Sequence, residues 1–178
     1  MKKFIIVLFL ILPILCFGLD FTSPMQEFGI SSECGYRKNP LGGMEEYSSL
    51  HKGIDLVGPK NCLVFPSAPG LVVEHWLPPN QLPGYGGHKT FGGLIVIDHL
   101  NGIFTWYGHL SKTYVHEGDY VGTNKPIGRQ GATGITTGEH LHFEIIVDPL
   151  KLLMGELKLT GSFIKFMKKE LYGEFGDK

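Results

Sequence analysis

Two histidines one residue apart, His140-Leu141-His142, and a histidine and an acid four apart, His51-Lys52-Gly53-Ile54-Asp55, are the residues of this chain best suited to chemistry. On an extended segment His140 and His142 point to the same side, because side chains alternate along a strand. His51 and Asp55 share a face whether their segment is helical or extended. Imidazole and carboxylate donors without thiolates suit zinc, and a set of His, Asp and His with one open position suits a catalytic rather than a structural site. Tyr107-Gly108-His109-Leu110-Ser111 adds another histidine inside a strand-like stretch.

The elements that must hold these residues read as strands. Ile54–Val57 is a short apolar run ended by Gly58-Pro59. Cys62–Phe65 and Leu71–Trp76 flank a turn over Pro66–Gly70, and Leu94–His99 and Phe104–His109 flank Asn101-Gly102, a two-residue hairpin signal. Leu141–Val147 alternates, with His140, His142 and Glu144 on one side and Leu141, Phe143 and Ile145 on the other. Phe21–Leu50 reads as an irregular arm with one strand near Ser31–Tyr36. Leu77–Gly93, rich in Pro and Gly, reads as a long loop. Short apolar runs between turn signals predict an all-β fold, an antiparallel sheet or barrel-like single domain with a groove over the metal.

Taken in order, these motifs resemble the lysostaphin-type (LytM-like) zinc endopeptidases, which cut peptide cross-links of bacterial peptidoglycan. The resemblance covers about Ile30 to Asp148: Arg37 after Gly35-Tyr36, His51 to Asp55, Ser67-Ala68-Pro69-Gly70-Leu71-Val72, Ile97 to Gly102, Tyr107 to Ser111, Gly118-Asp119-Tyr120-Val121 with Ile127-Gly128, and Gly131-Ala132-Thr133-Gly134 leading to Gly138–Glu144. It implies one zinc ion held by His51, Asp55 and His142. It implies that His109 and His140 are the active-site histidines that do not bind the metal. One would take a proton from the attacking water and the other would stabilise the oxyanion or protonate the leaving amine; the sequence leaves open which does which. Arg37 lies near the cleft in the family, where it binds substrate or makes a structural ion pair. Thr133 and Thr136 serve the turn or the substrate backbone. His99 is expected to be structural, and His75, His88 and His116 to be surface or loop residues. The loop Leu77–Gly93 is longer than is common in the family and would rim the cleft.

The ends carry separate signals. Lys2, Lys3, the apolar run Phe4–Leu15 and the small Gly18 read as a signal peptide over 1–18. Acylation of Cys16, as in a lipoprotein, is disfavoured by Leu15 before it. Cleavage would remove Lys2 and Lys3 and no acid, moving the formal charge from −1 to −3, so neither a nucleic-acid stripe nor a polybasic membrane anchor is present. An arm over 19–30, a peptidase domain over 31–150 and a tail over 151–178 would follow. In the tail, Ser162 could cap a helix carrying Phe163, Phe166, Met167 and Leu171 at near-helical spacing. Cys34 and Cys62, an even pair in an exported chain, are expected as a disulfide worth about 3 kcal/mol, with two buried free thiols as the alternative.

The expected protein is therefore an exported zinc endopeptidase of the periplasm or cell envelope. It would be monomeric and would act on stem or cross-link peptides, above all on the bond between D-alanine and a diamino acid. The alternatives are a catalytically inactive binding regulator of cell-wall amidases, disfavoured because all five cleft positions are filled, and a secreted lytic toxin.

Overall fold

A computed structural model describes residues 20–38, 48–81 and 87–154. Twelve strands are described: β1 (Gly29–Ser32), β2 (Gly35–Lys38), β3 (Ser48–His51), β4 (Ile54–Val57), β5 (Leu63–Val64), β6 (Gly70–Trp76), β7 (Gly93–Asp98), β8 (Ile103–Leu110), β9 (Lys112–Thr113), β10 (Tyr120–Val121), β11 (Gly128–Arg129) and β12 (Leu141–Val147). They form a seven-stranded sheet in the order β1-β4-β12-β8-β7-β6-β10, a three-stranded sheet β5-β11-β9 and a two-stranded hairpin β2-β3. Every strand pair is antiparallel. A short helix, α1 (Pro149–Leu153), follows β12. Asp148 caps it by accepting the N–H of Leu150 at 2.9 Å, and Pro149 supplies a preset φ at its first position. The expected helix around Ser162–Leu171 and the expected signal peptide lie outside the described residues.

Apolar residues of the central strands make the core: Ile54 and Leu56 from β4, Ile95 and Ile97 from β7, Tyr107 and Leu110 from β8, Leu141 and Phe143 from β12. Tyr107 and Phe143 meet with ring centroids 5.4 Å apart. The Tyr107 hydroxyl is satisfied by the Ser67 N–H at 2.8 Å and by Thr105 at 2.9 Å, as a buried hydroxyl requires. The arm before β1 is part of this core, since Phe21 and Met25 are both buried.

Three local expectations are corrected. The strand near Ser31–Tyr36 is two strands broken at Glu33-Cys34, the second of which leaves the large sheet to pair with β3. The β7–β8 connection is not a two-residue turn but spans His99 to Gly102, with Leu100 and Gly102 at φ 61° and 85° and a His99 N–H to Ile103 carbonyl bond of 3.0 Å. Cys34 and Cys62 are both free. Ser32 pairs with Asp55 at the start of β4, so Cys34 lies beyond that end, whereas Cys62 follows the turn after Val57 and lies against Gly58 at the other end. The intervening strand is about 10 Å long at ~3.3 Å per residue, beyond the reach of a disulfide.

Candidate metal centre

Asp55 and His142 are direct cross-strand partners on β4 and β12, so their side chains rise from the same face of the sheet. His51 ends β3, and the tight turn over Lys52-Gly53 swings it over Asp55. That turn needs glycine. A Cβ on Gly53 would stand 2.4 Å from the Phe143 carbonyl oxygen and 2.9 Å from His142 Nε2. His51 Nε2, Asp55 Oδ1 and His142 Nδ1 then converge, with separations of 3.0 Å (His51–Asp55), 2.9 Å (His142–Asp55) and 3.0 Å (His51–His142). All three residues are buried, and they are the group among the described residues able to hold a metal ion.

The donor set fits a cation. His51 Nδ1 faces the Glu33 carbonyl at 2.8 Å, so that nitrogen carries the proton and Nε2 presents its lone pair. His142 Nε2 faces Glu144 Oε1 at 2.9 Å, which likewise leaves the lone pair on Nδ1. Two imidazole lone pairs and a carboxylate oxygen thus point at one spot, an arrangement that repels itself unless positive charge lies between. Zinc bonds of roughly 2.0–2.1 Å in a tetrahedron separate donors by about 3.3 Å, a few tenths of an ångström more than is seen here. The charges agree. Burial alone would raise the Asp55 pKa, but the imidazoles of His140, His142 and His51 gathered around it outweigh burial and hold the carboxyl well below the ordinary carboxylate range. Burial alone would lower the pKa of His142, but the Asp55 and Glu144 carboxylates at its two nitrogens outweigh that and raise it.

The two remaining histidines stand beside the cluster. His140 comes just before β12, where its N–H bonds the Gly131 carbonyl at 2.9 Å. Its Nε2 is 3.3 Å from Asp55 Oδ1, and its Nδ1 is 3.0 Å from the Gly138 carbonyl. His109 ends β8 with its ring centroid 4.7 Å from that of His140 and 5.8 Å from that of His142. It holds a left-handed φ of 60°, an unfavourable conformation for a residue with a side chain. Its Nδ1 faces the Thr133 carbonyl at 2.8 Å. Burial first, with His140 and His142 adding to it, pushes its pKa down to about 4 against the opposing pull of Thr133 and Asp55. At neutral pH His109 is therefore uncharged, with a free lone pair on Nε2.

All five residues singled out from the sequence meet at one place. Arg37 joins them differently: its Nη1 donates to Asp55 Oδ2 at 3.1 Å and also to Ser32 Oγ, so it holds the carboxylate oxygen that faces away from the cluster. Thr133 Oγ1 bonds the Leu110 carbonyl and the Gly93 N–H, and Thr136 Oγ1 bonds the Gly138 carbonyl, so both build the turn. His99 is structural, bridging the Pro69 carbonyl at 2.8 Å and Thr105 Oγ1 at 2.9 Å. His75 and His116 lie away from the cluster, with His75 half-buried against Thr113. Two contributors had no assigned role. Glu144 orients His142, and its signal was an acid two residues beyond a histidine on the same strand face. Phe91, from the long loop, packs its ring 5.3 Å from that of His142, and no sequence pattern pointed to it.

A family model described as Peptidase family M23 matches residues 49–152. The DD-carboxypeptidase/endopeptidase Mpg of Neisseria meningitidis serogroup B is 36% identical over 143 residues, covering 77% of this chain and 30% of that protein. The peptidoglycan DD-endopeptidase ShyA of Vibrio cholerae is 35% identical over 117 residues, covering 65% of this chain and 25% of that protein. The chain thus spans under a third of the length of these curated relatives. Among solved structures, a zinc containing peptidase from Vibrio cholerae aligns with a TM-score of 0.61 at 31% identity, over 72% of this chain and 37% of that one. With the matched segment running from β3 to α1 and enclosing all three converging donors, the chain belongs to peptidase family M23.

Proposed function

We propose that this protein is a zinc-dependent endopeptidase that hydrolyses peptide bonds of peptidoglycan, with the bond from D-alanine to the side-chain amine of a diamino acid as its target. The observation that carries the reading is the convergence of His51 Nε2, Asp55 Oδ1 and His142 Nδ1 within 4.8 Å of one another, with His109 and His140 beside them. The activities named for Mpg and ShyA support the substrate class. The same reading has a signal peptide over 1–18, action in the cell envelope as a monomer, and a peptidase domain over 31–150. Among the described residues no helix is long and apolar enough to cross a membrane.

His51, Asp55 and His142 would hold one ion. When bound, zinc polarises the scissile carbonyl and makes water nucleophilic near neutral pH. His109, neutral and anchored through Nδ1 to Thr133, offers Nε2 as the proton acceptor for the attacking water. His140 Nδ1 faces the Gly138 carbonyl and its Nε2 faces Asp55, so when the ring carries a proton on each nitrogen its Nε2–H would donate to the developing oxyanion and then to the leaving amine. Arg37 and Glu144 hold Asp55 and His142 in orientation.

Digestion of purified peptidoglycan by the zinc-loaded protein, with mass spectrometry of the fragments, tests the reading. D-alanyl–diamino acid bonds should be cut. His142→Ala should lose both metal and activity, while His109→Ala and His140→Ala should keep the metal and lose activity by ~100-fold or more. Full activity of the metal-free protein, or intact peptidoglycan after treatment with the zinc form, would overturn it.

A further inference from the structure

We propose that Phe91 is a positioning residue for both His142 and His109, and that His88 in turn sets Phe91, so that the loop tip 88–92 is a working part of the site rather than a rim around it. The inference rests on the roles given above to His142 and His109.

The tip, His88-Lys89-Thr90-Phe91-Gly92, is closed on itself by two backbone bonds of 2.7 Å, one from the His88 N–H to the Gly92 carbonyl and one in return. Gly92 supplies the left-handed φ of 64° that the closure needs. Inside the ring of backbone, His88 Nδ1 accepts the N–H of Phe91 at 3.1 Å and that of Thr90 at 3.3 Å. The His88 ring also stacks on the Phe91 ring, with centroids 5.2 Å apart and planes at 30°. Trp76 meets the same imidazole edge-on at 5.4 Å. One side chain therefore fixes both the backbone and the ring of Phe91.

Phe91 acts outward in two ways. Its ring lies 5.3 Å from that of His142 with the planes 31° apart, and its carbonyl accepts the His109 N–H at 2.7 Å. The two contacts address what the other partners leave loose. Glu144 holds His142 by one nitrogen, which leaves the ring able to tilt about that hydrogen bond; an aromatic ring against its face removes the tilt. His109 holds a left-handed backbone conformation, which persists only where surrounding contacts over-determine it. The bond to Phe91 is one such contact; the Thr133 carbonyl at Nδ1 and the Thr133 N–H at the His109 carbonyl are others. The sheet is shaped for this ring. The residue opposite His142 on β8 is Gly108, where a Cβ would come within 2.9 Å of Phe91 Cδ1. The Thr90 carbonyl, accepting the Ile135 N–H at 2.8 Å, ties the tip to the segment that leads into His140.

The test measures Zn²⁺ affinity by competition with a chromophoric chelator, imidazole nitrogen resonances of the zinc-loaded protein, and kcat and KM on a cross-link peptide, for Phe91→Ala, Phe91→Leu, Phe91→Tyr and His88→Asn. Phe91→Ala should weaken Zn²⁺ binding about 10-fold, as loss of a partner to a metal ligand does. It should also shift the His109 and His142 resonances and lower kcat by ~10-fold or more with KM little changed. Phe91→Tyr should restore all three. His88→Asn, which keeps a carbonyl acceptor for the two N–H groups and loses the stacked ring, should fall between. If Phe91→Ala does not fold, Phe91→Leu, which keeps bulk without a flat face, carries the same expectations at smaller size. Unchanged Zn²⁺ affinity and unchanged resonances in folded Phe91→Ala or Phe91→Leu would overturn the proposal, and so would a rise in KM alone, which would make Phe91 a substrate contact. If the wild-type protein cleaves no peptide, the proposed function fails, while the Zn²⁺ titration and the resonances still decide the role of Phe91.

Discussion

Removing the Glu144 carboxylate should weaken metal binding without touching a ligand. Glu144 Oε1 is 2.9 Å from His142 Nε2, and both residues are buried. With the carboxylate in place, the proton of His142 is held on Nε2 and the lone pair on Nδ1 faces His51 and Asp55. A hydrogen bond to an ionised group contributes about 1.5–3 kcal/mol. At about 1.4 kcal/mol per decade, Glu144→Ala should therefore weaken Zn²⁺ binding roughly 10- to 100-fold. Glu144→Gln keeps an acceptor for Nε2–H without the charge, so its loss should be smaller, about 5-fold. The assay is a competitive chelator titration at pH 8. The pH matters because Glu144 also raises the pKa of His142, so it favours a competing proton as well as the metal. At pH 8 the proton competes least, and the difference reports orientation. Wild-type affinity in Glu144→Ala would refute the reasoning, and an equal loss in Glu144→Gln and Glu144→Ala would show that the charge carries the whole effect and the neutral acceptor none of it.

Gly53→Ala should be destabilised by about 1–3 kcal/mol and should bind Zn²⁺ poorly, because the new methyl would meet the Phe143 carbonyl oxygen at 2.4 Å and backbone cannot yield cheaply; denaturant titration with metal analysis checks it. Arg37→Ala should weaken Zn²⁺ binding about 5- to 10-fold with little change in KM, since Arg37 grips Asp55 Oδ2; a rise in KM at unchanged metal affinity would return it to a substrate-binding role. Burial holds the pKa of His99 below its ordinary value, so between the lowered folded-state pKa and ~6.5 the unfolded chain binds a proton that the folded chain does not. This contribution to stability is complete above ~pH 6.5 and is lost as the pH falls, and His99→Gln should flatten the stability–pH curve of the metal-free protein between pH 7 and 5.

Much of the site was legible in the sequence because strand geometry is local. A period of two places His140, His142 and Glu144 on one side wherever that segment lies. The spacing of four predicted His51 and Asp55 on one face of a single helix or strand, whereas a turn at Lys52-Gly53 between β3 and β4 brings them together. The strands themselves were legible as apolar runs between Gly and Pro, and Leu141–Val147 is the strand expected. What stayed hidden depends on which strands become neighbours. The Cys34–Cys62 bridge looked reasonable by count, yet β4 lies between the two and keeps them apart, because pairing of β1 with β4 sets Ser32, not a residue nearer Cys62, beside Asp55. Arg37 read equally as substrate contact or ion pair until the β2–β3 hairpin brought it to Asp55. Phe91 had no signal, since a loop has no period to report which way it folds. The residue types and the short spacings by themselves offered imidazole and carboxylate donors suited to zinc, and the family resemblance selected His51, Asp55 and His142 among them. The register of β4 against β12, the backbone carbonyls at His51 and His109, and the ring laid on His142 were decided only when chain segments nearly a hundred residues apart were packed together, because hydrogen-bond partners and ring contacts are properties of neighbours in space.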